Sequence, residues 1–270
     1  MAVLEMPTKT RRKFIPRWVL PPPLPDPELV VMLETIKALD LPGSDGEPME
    51  NARERVQINL ALDSLDYHWR ERDDYFGGGN MFVYFSIPQA RSILAEFDDP
   101  ARPRRTFRGP DVFVALGVDG SYRRQKWVVW EEDDHYPDVI FEFLSPSTRR
   151  ADLGKKKRLY EQTFGTQEYF CFEYMTPEVK DNLLGWRLDE YGRYQPITPD
   201  ERGWLWSEGL QLWVGTWQGV VARDETIWMR FYTPAGELVL TLAEAEAAAR
   251  QAAEAEIARL QAELARLRGG

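Results

Sequence analysis

Two short apolar runs carry the strongest constraint in the chain: GPDVFVALG at residues 109–117 and PDVIFEFL at 137–144. Both read as β-strands, because Val, Ile and Phe pack well on a pleated surface. Alternate strand side chains share a face, so Ile140, Glu142 and Leu144 point one way and Val139, Phe141 and Phe143 the other. Both faces are apolar, the mark of a strand covered on both sides. Glu142 interrupts that strand in its middle, and Asp111 opens the companion run VFVAL. A carboxylate there is costly unless a cation or a hydrogen-bond donor compensates it. A divalent metal is one such cation. Asp138, at a Pro-Asp strand start, is ordinary turn chemistry.

A helix is expected over 151–163, directly after the second run. At about 100° per residue, Leu153, Tyr160 and Phe164 form its inward stripe. Lys156 and Lys157 flank that stripe, whereas Lys155 and Arg158 fall outside it. Either flanking lysine can snorkel along the apolar surface or set an ammonium beside the two acids. In the second case it would orient a water or neutralise charge building on a phosphate.

Composition narrows the chemistry. The 270 residues, 43% hydrophobic and 13% aromatic, are enough for a substantial core. Cys171 is the one cysteine, and His68 and His135 are the two histidines, so any metal must have oxygen ligands. No apolar run approaches the roughly 20 residues of a membrane span, and the expectation is a cytoplasmic protein. The formal net charge of −10 argues against indiscriminate coating of nucleic acid. Residues 101–160 depart from that balance, with 13 Lys or Arg against nine Asp or Glu. A basic band beside buried acids suits a phosphate substrate.

Along the chain, 1–40 opens with a basic cluster and a proline run, the composition of an extended arm. SDGEPME at 44–50 supplies turn and cap residues for a helix from about 49 to 71, with Val56, Leu60 and Asp63 or Tyr67 on one face. GGGN at 77–80 reads as a break, MFVYFSI at 81–87 and WVVWE at 127–131 as strands, and EYFCFEY at 168–174 as a further strand. Helix, strands, helix, strand is a mixed α/β (α+β) order, expected to fill 41–182. Six of the ten tryptophans lie within 183–236, a β-rich extension whose rings are expected to pack rather than stack on bases. Residues 237–270 form an amphipathic helix; Ile257, Leu260, Leu264 and Leu267 are spaced 3, 4, 3, a heptad seam that suits a coiled coil with a second subunit.

Pro110-Asp111, PDVIFEFLSPST at 137–148, Lys156 four residues before Tyr160, and EYFCFE at 168–173 together resemble the Uma-two restriction-endonuclease group. That group is similar to the PD-(D/E)XK nucleases. The resemblance implies a mixed central sheet flanked by helices, and Asp111, Glu142 and Lys156 as the catalytic set. It also implies that the lysine has moved from position 144, here Leu144, onto the following helix, which selects Lys156. A first-helix glutamate supports the site in many relatives; Glu50 is the first candidate and Glu54 the second. Under this reading Asp111, Glu142 and the Phe143 carbonyl would hold Mg²⁺ or Mn²⁺, and Arg149 and Arg150 would grip DNA. The partners would be DNA and a second copy of the chain. Two rivals remain: a nuclease fold that has lost catalysis and works as an assembly module through its tail, and a metal-dependent hydrolase of small phosphate compounds.

Overall fold

The computed structural model describes residues 41, 52–99, 106–174 and 182–268. The expected arm over 1–40 and Glu50 lie outside the described residues. None of the described helices is long and apolar enough to cross a membrane.

The centre is a six-stranded mixed sheet, ordered β1-β3-β5-β6-β7-β8. Its strands are β1 (Tyr75–Gly79), β3 (Val112–Leu116), β5 (Val139–Leu144), β6 (Glu168–Glu173), β7 (Leu183–Leu188) and β8 (Tyr194–Pro196). β5 and β6 run parallel, and every other neighbouring pair in this sheet is antiparallel. Parallel neighbours need a crossover, and a composite helix, α3 (149–164), supplies it. Two α-helical stretches, Arg149–Ala151 and Lys157–Leu159, alternate in α3 with two wider π-helical turns, Asp152–Lys156 and Tyr160–Phe164.

All residues of β3 and β5 are buried, as expected of strands covered on both faces. Val112, Val114, Val139, Phe141, Phe170 and Phe172 share one face with helix α1 (Ala52–His68) and the second sheet. Phe113, Ala115, Ile140, Tyr169 and Cys171 share the other with Tyr160 and Phe164 of α3. The alternation read for 139–144 is therefore the one observed.

Three local expectations change. The glycine run 77–79 is not a break but most of β1, paired antiparallel with β3. A Cβ on Gly78 would lie 2.3 Å from the Phe113 ring, and one on Gly79 would lie 2.7 Å from Leu62 and 2.8 Å from Ile58. The glycines let the strand lie between a phenylalanine and a helix. MFVYFSI and WVVWE shrink to β2 (Val83–Tyr84) and β4 (Trp127–Val128), a short parallel pair. Ser86 ends the first run by capping a helix that the sequence reading omitted, α2 (Ile87–Asp98), which has a proline in its first turn. On α1 the buried face is Gln57, Ile58, Leu60, Ala61, Ser64 and Leu65; Val56 lies at its margin and Asp63 is exposed. Gln57 selects that face by pairing both its amide atoms with the Met229 backbone, at 3.0 and 2.9 Å.

The tryptophan-rich stretch serves both sheets. β7 and β8 extend the central sheet, while β9 (Leu205–Ser207), β10 (Leu212–Val221) and β11 (Asp224–Tyr232) form a separate antiparallel sheet. Its rings pack: Trp228 is fully buried, Trp204 stacks on Tyr232 at 3.7 Å, and Trp206 meets Trp213 edge-on at 5.2 Å. The chain ends in a long helix, α4 (Leu242–Arg268). Its start is a capping box, in which Thr241 Oγ1 accepts from Glu244 N at 3.2 Å and Glu244 Oε2 accepts from Thr241 N at 2.8 Å. The buried guanidinium of Arg230 holds the same glutamate, at 2.7 and 2.8 Å.

Candidate active site

Register brings the two acids together. β3 and β5 pair Val112 with Phe141 and Phe113 with Ile140, so one step further along sets Asp111 opposite Glu142. Phe143 turns its N–H to the β3 edge, where Asp111 Oδ2 accepts it at 2.6 Å. Asp111 and Glu142 thus fall at a non-hydrogen-bonded position of the ladder, where facing side chains come closest. One residue beyond, Pro110 faces Phe143. A strand residue turns its N–H and C=O to the same edge, and proline has no N–H to offer the Phe143 carbonyl. The Pro-Asp pair therefore both supplies a carboxylate and leaves a main-chain oxygen beside it.

The composite helix closes the site from above. Lys156 Nζ lies 2.9 Å from Glu142 Oε2 and 2.9 Å from Asp152 Oδ1. The Tyr160 hydroxyl donates to Glu142 Oε1 at 2.5 Å. Asp152, Lys156 and Tyr160 are four residues apart. At 3.6 residues per turn, a residue eight further along is rotated by roughly 80°. The wider turn at Asp152–Lys156 lies within that span and reduces the drift, so Lys156 and Tyr160 both reach Glu142 while Asp152 pairs with Lys156.

Charge in this pocket is unbalanced. Glu142 and Asp152 are each 1% exposed, Asp111 keeps a partly exposed edge, and Lys156 is the one cation paired with Glu142 and Asp152 among the described residues. Burial drives the Glu142 carboxyl well above the usual range; Lys156 opposes this, while Asp111 and Asp152 add to it. Burial likewise pushes Asp111 up to about 6, against the pull of Lys156 and of the Phe143 N–H, with Glu54 and Asp152 adding. For Lys156 burial works toward a lower pKa, but the charges of Glu142, Asp111 and Asp152 outweigh it and keep the ammonium protonated.

The expected residues fall as follows. Asp111, Glu142 and Lys156 meet in one pocket. Lys157 lies on the other flank of α3, its ammonium 3.7 Å from the centre of the Trp186 ring. Glu54 stands on the inward side of α1, near enough for its charge to act on Asp111, and accepts from the Tyr174 hydroxyl at 3.3 Å. Arg149 and Arg150 line a cavity of about 390 Å³ with Pro146, Leu153 and Gly154, and Arg149 also pairs with Glu173 at 3.2 Å. Asp138 is structural, accepting from Leu116 N at 2.7 Å and meeting His135 at 2.9 Å. The sequence reading missed Asp152 and the bond from Tyr160 to Glu142, although the four-residue spacing of Asp152, Lys156 and Tyr160 was there as a signal.

Among the described residues no three His, Cys, Asp or Glu side chains are grouped to hold a metal by themselves. The donors that do fit a hard divalent ion are the Asp111 and Glu142 carboxylates and the Phe143 carbonyl, all oxygens, beside an excess of negative charge.

A mixed sheet with an acid pair on adjoining strands, and a lysine reaching it from the crossover helix, defines a nuclease-like α+β protein. The Uma2 family model, described as putative restriction endonuclease, matches residues 41–218. The chain belongs to that family. No curated protein matches it.

Proposed function

We propose that this chain is an endonuclease that hydrolyses phosphodiester bonds in DNA with Mg²⁺ or Mn²⁺. The observation that carries this reading is the pairing of Glu142 and Asp152 with one ammonium, that of Lys156, with Asp111 opposite Glu142 and near enough for its charge to act on both. Three carboxylates with one cation favour a further cation, and the family describes nucleases. Asp111, Glu142 and the Phe143 carbonyl would hold it. Such an ion, when bound, polarises the phosphate and lowers the pKa of a coordinated water.

The protein's own groups do the rest. Tyr160 fixes one Glu142 oxygen by donating to it. Lys156, kept charged by its three acidic neighbours, faces negative charge that develops on the phosphate or orients the attacking water. Asp152 holds that ammonium from the helix side. Arg150 and Arg149, in the cavity wall at the start of α3, meet flanking phosphates.

The test is incubation of plasmid DNA, single-stranded DNA and RNA with Mg²⁺ or Mn²⁺, comparing the natural chain with Glu142→Ala. Metal-dependent cleavage of DNA that disappears in the variant is the expected result. Cleavage that survives the substitution sinks the site assignment. A folded natural chain that cuts none of the substrates with either metal leaves an assembly module as the better description.

A further inference from the structure

Helix α4 carries an apolar seam that stands exposed among the described residues. Ile257, Leu260, Leu264 and Leu267 are 55%, 46%, 51% and 74% exposed. The base of the helix is fixed by Thr241, Glu244 and Arg230, so the seam belongs to a rod of about 40 Å rooted in the core rather than to a loose tail. With Ile257 at heptad position a, Leu260 and Leu267 fall at d and Leu264 at a. Going back toward the core, the same positions hold Ala253, Arg250 and Glu246. The sticky segment is therefore the distal two heptads.

We propose that this segment pairs in parallel with the same segment of a second copy of the chain. The seam is self-complementary, and its first heptad, with Ile257 at a and Leu260 at d, has the combination that favours parallel two-stranded pairing. The flanking charges distinguish the orientations. In a parallel pair each Glu263 faces Arg268 of the other copy, and Glu256 faces Gln261, so no like charges oppose one another. In an antiparallel pair Glu256 faces Glu263, a repulsion repeated by symmetry. Within its own helix Glu256 is already engaged by Arg259 at 2.6 Å. Two heptads make a short coiled coil, so the pairing depends on concentration.

Light scattering on the full chain over a dilution series tests this. The mass should rise from that of one chain, 31.4 kDa, toward twice that value as concentration increases. A Leu260→Asp, Leu264→Asp double variant should remain at one chain throughout, with the core's thermal unfolding unchanged. Separately, Leu264→Cys should cross-link to itself under oxidation, since Cys171 is buried and does not compete. A single-chain mass at every concentration overturns the proposal, as does a dimer that persists in the double aspartate variant. Cross-linking of an Ile257→Cys, Leu267→Cys chain between unlike positions, with none by Leu264→Cys, overturns the parallel register.

Discussion

Glu142 and Glu168 lie on adjacent parallel strands, β5 and β6, and each is 1% exposed, yet their surroundings differ in kind. Glu168 is the one buried carboxylate on Arg187, whose other partner Glu208 is exposed, and it has a full set of donors. Arg187 Nε reaches it at 2.8 Å, Glu208 N at 2.8 Å and Gly209 N at 3.1 Å, and the Ser207 hydroxyl donates as well. Those donors come from β7, from the end of β9 and from the turn after it, so this carboxylate fastens the second sheet to the first. Glu142 has two donors, shares its one cation with Asp152, and faces another acid. Burial is equal in the two cases. The number of buried carboxylates on each cation, one on Arg187 and two on Lys156, is what separates scaffold from candidate site.

Breaking the scaffold member should have the larger effect on folding. Glu168→Ala leaves Arg187 only the exposed Glu208 and the Trp206 carbonyl, and removes the acceptor of the buried Ser207 hydroxyl and of two backbone N–H groups, a loss of about 3–5 kcal/mol. Glu142→Ala leaves Lys156 still paired with Asp152 and relieves the repulsion from Asp111, so its cost should be well below that of Glu168→Ala. Urea unfolding of the two variants side by side measures the difference. Equal losses would erase the distinction drawn between the two acids.

The sequence made one of these carboxylates conspicuous and hid the other. Glu142 stands inside VIFEFL and Asp111 before VFVAL, so hydrophobic alternation alone marked them as out of place. Glu168 begins its strand, where an acid is unremarkable, and the residues that satisfy it come from a turn some forty positions later, beyond any local pattern. The lysine fell between. Angles taken at the regular α-helical pitch left Lys156 and Lys157 equivalent, because the π-helical turn that brings Asp152, Lys156 and Tyr160 closer to one line leaves no mark in hydrophobic spacing. GGG in β1 misled for a related reason: the side chains it makes room for, Phe113 and Leu62, lie on other elements. What was legible was local pattern, and what was not depended on partners distant in sequence or on departures from ideal helix geometry.

A second contrast lies in pH. The folded chain holds the Asp111 proton up to about pH 6, whereas the free carboxyl titrates near 3.8. Between those values the folded state binds more protons than the unfolded one, so stability falls as pH rises through the window. The raised Glu142 carboxyl acts in the same direction. Asp111→Asn should remove the Asp111 part of this slope and raise stability above pH 7 by roughly 1–3 kcal/mol, less where the exposed edge is screened. Thermal unfolding in metal-free buffer between pH 4 and 8 checks both the slope and its loss. Natural and Asp111→Asn chains whose stability curves run parallel over that range would show that Asp111 carries no raised pKa.

Two conservative substitutions make the finest comparison. Arg187→Lys keeps the charge next to Glu168 but cannot also reach the Trp206 carbonyl, now bonded at 2.6 Å, and the Glu208 carboxylate, now at 3.0 Å. It should cost about 1–2 kcal/mol of stability. Asp152→Asn keeps the shape beside Lys156 but removes one of the three charges around it. Because that pocket holds more negative charge than its lysine balances, stability should change by less than about 1 kcal/mol, while the DNA cleavage proposed for the chain should slow by roughly tenfold through a less firmly held ammonium. Denaturation midpoints and single-turnover cleavage rates on both variants are the measurements. A scaffold pair responds in stability and a site pair in rate; should Asp152→Asn unfold the chain as readily as Arg187→Lys, Asp152 belongs with Glu168 and not with Glu142.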